Sequence, residues 1–131
     1  EQLLDLQKKA DKVYVDPALM EYAVRMVTAT RSPKEVGLPE LERYIMFGAS
    51  PRASINLILT GRALAFVRGR NYALPQDVLD MALDVMRHRI VLTYEALSDN
   101  VTGDDILNRI LDRIPIPVVP LHEHINIRDN A

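Results

Sequence analysis

An all-α domain of about five helices is what this sequence predicts, and three observations carry it. Prolines stand where helices begin, at Asp16-Pro17, Ser50-Pro51 and Leu74-Pro75; at the first helical position the missing N–H would have had no partner. Apolar residues behind each start recur at three- and four-residue spacing, the period of one helix face. Aromatics are scarce, with two Phe, five Tyr and no Trp, so Leu, Ile, Val, Met and Ala must build the core, a set that suits helices.

In order along the chain, Leu3, Leu4, Leu6 and Ala10 predict a short amphipathic helix over 2–11. Val13 and Val15 are expected to be briefly extended, after which Asp16 caps and Pro17 opens a helix. Its face is Leu19, Met20, Ala23, Val24 and Val27, running to about Thr30, with Arg31 at the negative pole of the dipole. SPKEVGLP (32–39) is loop by composition. ELERYIMF (40–47) fits either a short helix or an extended segment, stopped by Gly48. Ser50-Pro51 then starts the strongest helix, carrying Ile55, Leu57, Ile58, Leu59, Leu64, Ala65, Phe66 and Val67 and ending at Gly69. Gly61 in its interior costs about 1 kcal/mol against Ala, which points to close approach by another element.

RNYALPQD is a turn, and Pro75 opens the next helix with Asp77 in its first turn and Val78, Ala82, Val85 and Met86 on its face. IVLTYEAL (90–97) either continues that helix or breaks into an extended piece. Thr102 with Asp105 three residues on forms a capping box before Ile106, Leu107, Ile110 and Leu111. PIPVVP ends regular structure, so residues 118–131 are expected to be an extended tail behind a domain of residues 1–117.

At 131 residues and 26% charged, the chain has ordinary globular composition. It has no cysteine, which excludes disulfides, thiolate metal sites and cysteine nucleophiles. The sequence holds no apolar run long enough for a membrane span, and its first residues are amphipathic, unlike a signal peptide. A cytoplasmic setting without membrane contact is the expectation. A net charge of −2 offers no general attraction to nucleic acid. The distribution of charge is more informative: from Arg43 to Arg70 there are five arginines (43, 52, 62, 68, 70) and no Asp or Glu. Such a stretch either faces an anion or is neutralised by the acidic helix that follows, with Asp77, Asp80 and Asp84.

FGASPRAS (47–54) sharpens that choice. Pro51 takes the first helical position, the Ser50 hydroxyl is expected to cap a free amide, and Arg52 falls in the first turn. A cation there opposes the helix dipole and becomes favourable when an anion such as phosphate sits in front. Arginine suits that task, since its planar fork grips phosphate oxygens in bidentate fashion.

FGASPRAS followed by GRALAFVRGRNYALPQDV and RHRIVLTYEA, with VYVDPALMEYAVRMVTATRSP upstream, resembles the C-terminal lid of the MoxR family of AAA+ ATPases over about residues 13–117. The resemblance implies a helical lid in which Arg52 is the sensor-two arginine, with Ser50 and Pro51 beside it. It would reach the phosphates of ATP, bound with Mg2+ in the αβ core of the same protein. It further implies a homo-oligomeric ring and chaperone-like remodelling of partners, often alongside proteins with von Willebrand factor A domains. One departure is Leu74, where the family often has Thr; leucine has no capping oxygen. The chain carries no GxxxxGK[ST] loop and no βαβ pattern, so the phosphate cradle must lie elsewhere. A single charge-assisted contact contributes about 1.5–3 kcal/mol, below the roughly 4 kcal/mol of even millimolar affinity. This chain alone is therefore expected neither to bind ATP tightly nor to hydrolyse it.

Other residues have plainer readings. His88, between Arg87 and Arg89, is a conceivable general base but is expected to cap carbonyls or pack on the core. His122 and His124, with Glu123 between them, could hold a metal, but zinc takes three or four ligands and two histidines at this spacing in a polar tail are expected to be plain tail. Arg31, Arg62, Arg68, Arg70 and Arg89 are expected to be solvated or ion-paired. The alternative to the lid is a stand-alone helical interaction module, or a weak nucleic-acid binder, without nucleotide chemistry.

Overall fold

In a computed structural model the described residues are 12–118. The helix expected over 2–11, the tail beyond Val118, and His122 and His124 lie outside them. Five helices follow in order: α1 (Pro17–Arg31), α2 (Arg52–Val67), α3 (Pro75–Met86), α4 (Tyr94–Ser98) and α5 (Gly103–Arg113). The all-α expectation holds, with a two-stranded addition.

The helix starts read from sequence are built largely as expected. Asp16 accepts the Ala18 N–H at 2.9 Å ahead of α1. At α5, Thr102 accepts the Asp105 N–H while the Asp105 carboxylate accepts the Thr102 N–H, both at 3.1 Å. Leu74 has no oxygen to offer α3, and the Asp77 carboxylate supplies half a cap by accepting the Leu74 N–H at 2.7 Å. Helix α2 is the central element, lying against both α1 and α3, with α5 packed on α1 and α3. Leu57, Met26, Met86, Ile106, Leu107 and Ile110, all 0% exposed, meet in the main core. Gly61 is where α2 and α3 touch: a Cβ there would lie 3.0 Å from Val78 Cγ2, the close approach its sequence position suggested.

A second, smaller cluster joins Val13, Val15 and Leu19 to Ala65 and Ala73. It is stitched by backbone bonds from Tyr14 N–H to Asn71 and from Ala73 N–H to Tyr14, each 2.8 Å. The brief extension at 13–15 is thus a parallel bridge onto the turn after α2.

The two segments with open readings turn out to be partners. Residues Pro39–Arg43 make a 3-10 turn, as do Pro33–Val36 within the stretch read as loop. The chain then extends as β1 (Ile45–Phe47), antiparallel to β2 (Val91–Leu92), with an irregularity between the Ile45–Leu92 and Phe47–Val91 pairs. Non-local polar contacts fix the pairing. Thr93 donates its N–H to Tyr44 at 2.9 Å and its hydroxyl to the Arg43 carbonyl at 2.7 Å, and Tyr44 donates to Asp99 at 2.8 Å. After β2, Thr93 caps α4 through the Ala96 N–H.

Candidate functional site

The turn that presents Arg52 is fastened to the end of α1. Thr30 is fully buried; its hydroxyl donates to the Val27 carbonyl at 2.6 Å and accepts the Ala49 N–H at 2.9 Å. Gly48 passes so close that a Cβ would lie 2.5 Å from the Thr30 carbonyl oxygen and 2.7 Å from Arg31 Cα. Only a residue without a side chain fits against backbone at that distance. Ala49 and Ala53, each 0% exposed, seat the turn on the core. The small residues of GASPRA are therefore contact surfaces that fix where the helix begins.

At the helix start one expectation needs correction. The Ser50 hydroxyl makes no capping bond: α2 begins without a side-chain cap, and Ser50 is exposed. Pro51 already has helical angles (φ −55°, ψ −24°), so backbone carbonyls do the capping. Ser50 C=O takes the Ala53 N–H at 2.9 Å, and Pro51 C=O takes the Ser54 N–H at 3.1 Å and the Ser54 hydroxyl at 2.6 Å. Arg52 follows, exposed, with no hydrogen bond or ion pair among the described residues.

Of the other arginines of the basic stretch, Arg62 likewise makes no ion pair among the described residues, while Arg43, Arg68 and Arg70 are paired. Arg70 holds the fully buried Asp77 carboxylate through two bonds of 2.6 and 2.7 Å. Arg68 adds a 2.9 Å bond to Asp77 and a 2.7 Å bond to Asp80. These contacts raise both guanidinium pKa values, chiefly through Asp80 for Arg68 and Asp77 for Arg70. Arg43 lies over the Tyr44 ring, donates to its hydroxyl at 2.6 Å, and sits 4.0 Å from Glu95. Neutralisation by the helix that follows thus holds for Arg68 and Arg70, Arg43 is paired with Tyr44 and Glu95, and Arg52 and Arg62 are left without an ion pair among the described residues.

The GRNYALPQDV segment is a structural device. Gly69 takes φ +81°, a left-handed value that turns the chain after α2. Arg70 reaches Asp77, Tyr72 bridges to Tyr14, Pro75 opens α3, and Val78 meets Gly61. Sequence reasoning placed Asp77 in the dipole of α3 but missed it as the shared acceptor of two arginines. The signal was present, since the two arginines and the aspartate flank one turn. Nothing in the sequence singled out Thr30.

His88 neither caps a carbonyl nor enters the core. It is exposed and lines a groove between α2 and α3 with Asn56, Leu59, Thr60, Asp84, Val85 and Arg89. Arg31 and Arg89 are exposed without ion pairs among the described residues. Arg62 is half-buried, and its Nε is enclosed with no hydrogen-bond partner there. No described group of three or more His, Asp or Glu side chains gathers to hold a metal, and no described helix is long and apolar enough to cross a membrane.

Comparison with known proteins agrees with this architecture. Residues 40–110 match the AAA lid domain family. The chain is 47% identical over 117 residues to the chaperone MoxR1 of Mycobacterium tuberculosis, covering 89% of this chain and 31% of that protein. It is 34% identical over 110 residues to the protein MoxR of Paracoccus denitrificans, covering 79% and 32%. A crystal structure of a candidate ATPase from Cytophaga hutchinsonii superposes with a TM-score of 0.82 at 39% identity, over 85% of this chain and 34% of that one. The chain thus spans about a third of the length of the curated relatives it matches. With its helical fold and the GASPRA turn built as described, the chain belongs to the AAA lid domain family, as the lid of a MoxR-like AAA+ ATPase.

Proposed function

We propose that this chain senses the nucleotide of its parent ATPase through Arg52. The observation that carries the reading is a guanidinium on the leading turn of α2, fastened in place by Thr30 and Gly48, yet left without a counter-ion among the described residues. A cation facing the positive end of a helix is disfavoured until an anion arrives, and phosphate oxygens offer a bidentate partner. ATP with Mg2+ is held by the αβ core of the same longer protein, and the metal there shares charge with the phosphates. Arg52 supplies a further positive charge, with Ser50 and Pro51 setting its position. Because the turn is rigid, gaining or losing the γ-phosphate moves the lid as a body.

That movement remodels partner proteins in a chaperone-like cycle within a cytoplasmic homo-oligomeric ring, alongside proteins with von Willebrand factor A domains. The lid spans residues 1–117, with 118–131 as a tail. The test is ATP turnover by the full-length protein carrying Arg52→Ala, an exposed position whose loss leaves the fold intact. Removing one such stabilising donor lowers kcat about 10²-fold or more. Arg52→Lys keeps the charge without the fork and recovers only part of the rate. Unchanged hydrolysis in Arg52→Ala would refute the reading.

A further inference from the structure

Arg31, Arg52, Arg62, Arg89 and Arg113 make no ion pair among the described residues. Arg31 matters here because it meets the turn that carries Arg52. A Cβ on Gly48 would lie 2.7 Å from Arg31 Cα, so the backbones of residues 31 and 48 are in contact. From Gly48 to Arg52 the chain spans at most about 14 Å even fully extended. The 2.9 Å bond from Ala53 N–H to the Ser50 carbonyl already curls part of that length into α2. Both arginines are exposed. Two long cationic side chains thus leave one junction, the end of α1 and the start of α2, fastened behind them by the buried Thr30 hydroxyl.

The sequence brings no carboxylate to that junction. No Asp or Glu lies between Glu21 and Glu35, or between Glu42 and Asp77. The α1 dipole favours a cation at its last residue, but lysine would satisfy the dipole equally and the guanidinium fork is not needed for it. Like charges held close repel, and an anion of more than one charge entering between them turns that repulsion into attraction. A terminal phosphate carries about −1.5 to −2 at neutral pH and offers three acceptor oxygens, enough for two arginine forks. We infer that Arg31 is a second phosphate-binding residue, gripping with Arg52 the γ-phosphate of the nucleotide that the parent ATPase holds. The inference rests on the reading of Arg52 above and extends it from one cation to a pair. A γ-phosphate held between arms from two helices ties the ends of α1 and α2 to the nucleotide together. ADP lacks that phosphate and leaves the pair unfilled, so the pair separates triphosphate from diphosphate.

The test is calorimetric titration of the full-length protein with a non-hydrolysable ATP analogue and, separately, with ADP. Arg31→Ala is expected to weaken the analogue about tenfold or more, the loss of one charge-assisted contact, and ADP by less than about twofold. Arg31→Gln keeps a donor for the last carbonyls of α1 and is expected to lose the same selectivity, so the test survives if the alanine variant folds poorly. Arg31→Lys recovers part of it. Arg25→Ala removes an exposed arginine from the same helix, with the same change in net charge, and is expected to leave the ratio of the two affinities unaltered. A residue that only serves the α1 dipole would lower the melting temperature of Arg31→Ala and leave the ratio as it was; that result overturns the assignment. So does an equal loss for analogue and ADP, or a loss seen only at concentrations where copies associate, which would put the phosphate in a neighbouring copy. The two readings fail separately. A ratio kept in Arg31→Ala and lost in Arg52→Ala removes the second cation and leaves the first; the opposite pattern removes Arg52 and leaves Arg31 as the phosphate contact.

Discussion

Gly48→Ala probes how the site is held without touching Arg52. The added methyl would sit 2.5 Å from the Thr30 carbonyl oxygen, 2.6 Å from its carbon and 2.7 Å from Arg31 Cα. All three are backbone atoms, so no rotamer change relieves the clash, and either the end of α1 or the 47–50 turn must move. Overpacking of this kind costs about 1–3 kcal/mol. Displacing the turn also stretches the 2.9 Å bond from Ala49 N–H to the buried Thr30 hydroxyl, worth about 0.5–1.5 kcal/mol. The sum is about 1.5–4.5 kcal/mol, or a melting temperature lower by roughly 6–18 °C at about 4 °C per kcal/mol for a chain of this size. Thermal unfolding followed by circular dichroism reads this directly. Gly69→Ala is the control: nothing lies within 4 Å of its Cβ, but its φ of +81° remains unfavourable for alanine. That substitution costs about 1–2 kcal/mol and leaves the Arg52 turn in place. In the full-length protein Gly48→Ala should therefore lower ATP turnover and Gly69→Ala should not. A melting temperature for Gly48→Ala within measurement error of the unsubstituted chain would show that the turn does not press on α1, and would refute the reasoning.

Asp77→Ala should destabilise by about 3–5 kcal/mol in urea unfolding, because it strands the mostly buried Arg70 guanidinium without its partner and removes the half-cap of α3; a loss under 1 kcal/mol would show that the clamp is solvated. Acid should weaken the fold through three carboxyls held below their ordinary values: Asp80 chiefly by the Arg68 hydrogen bond, Asp105 by the Thr102 N–H, and Glu40 by its own backbone N–H with help from Arg109. Groups with depressed folded-state pKa stabilise above their unfolded values near 4 and lose that contribution as pH falls through the lower folded values. The melting temperature is thus expected to be flat from about pH 7 to 5 and to drop below pH 4, and stability that rose on acidification would contradict these contacts.

The helical framework was legible because its signals are local. Asp16 with Pro17, Thr102 with Asp105, and the three- and four-residue spacing in α1, α2, α3 and α5 each lie within a few neighbours, and the structure builds them as read. The β1–β2 pair was not legible, because each strand is too short to show a period and their fastening by Arg43, Tyr44 and Thr93 spans about fifty residues. At the candidate site, the arginine on a helix start could be seen from Ser50-Pro51-Arg52. Its anchoring could not, since Thr30 lies on another helix and Gly48 read only as a stop signal. The Ser50 cap failed for a local reason: Pro51 is already helical, so backbone carbonyls reach the amides first. In the basic stretch, sequence alone could not divide paired arginines from free ones, because pairing depends on how the turn after Gly69 folds α3 back beside α2.

The sharpest single test is a crystal structure of the full-length ATPase with a non-hydrolysable ATP analogue bound. The account predicts Arg52 guanidinium nitrogens at about 2.7–2.9 Å from phosphate oxygens, with the Ala49–Thr30 hydrogen bond intact behind them. An Arg52 side chain turned into solvent or paired with a carboxylate, leaving the phosphates to other cations, would contradict it.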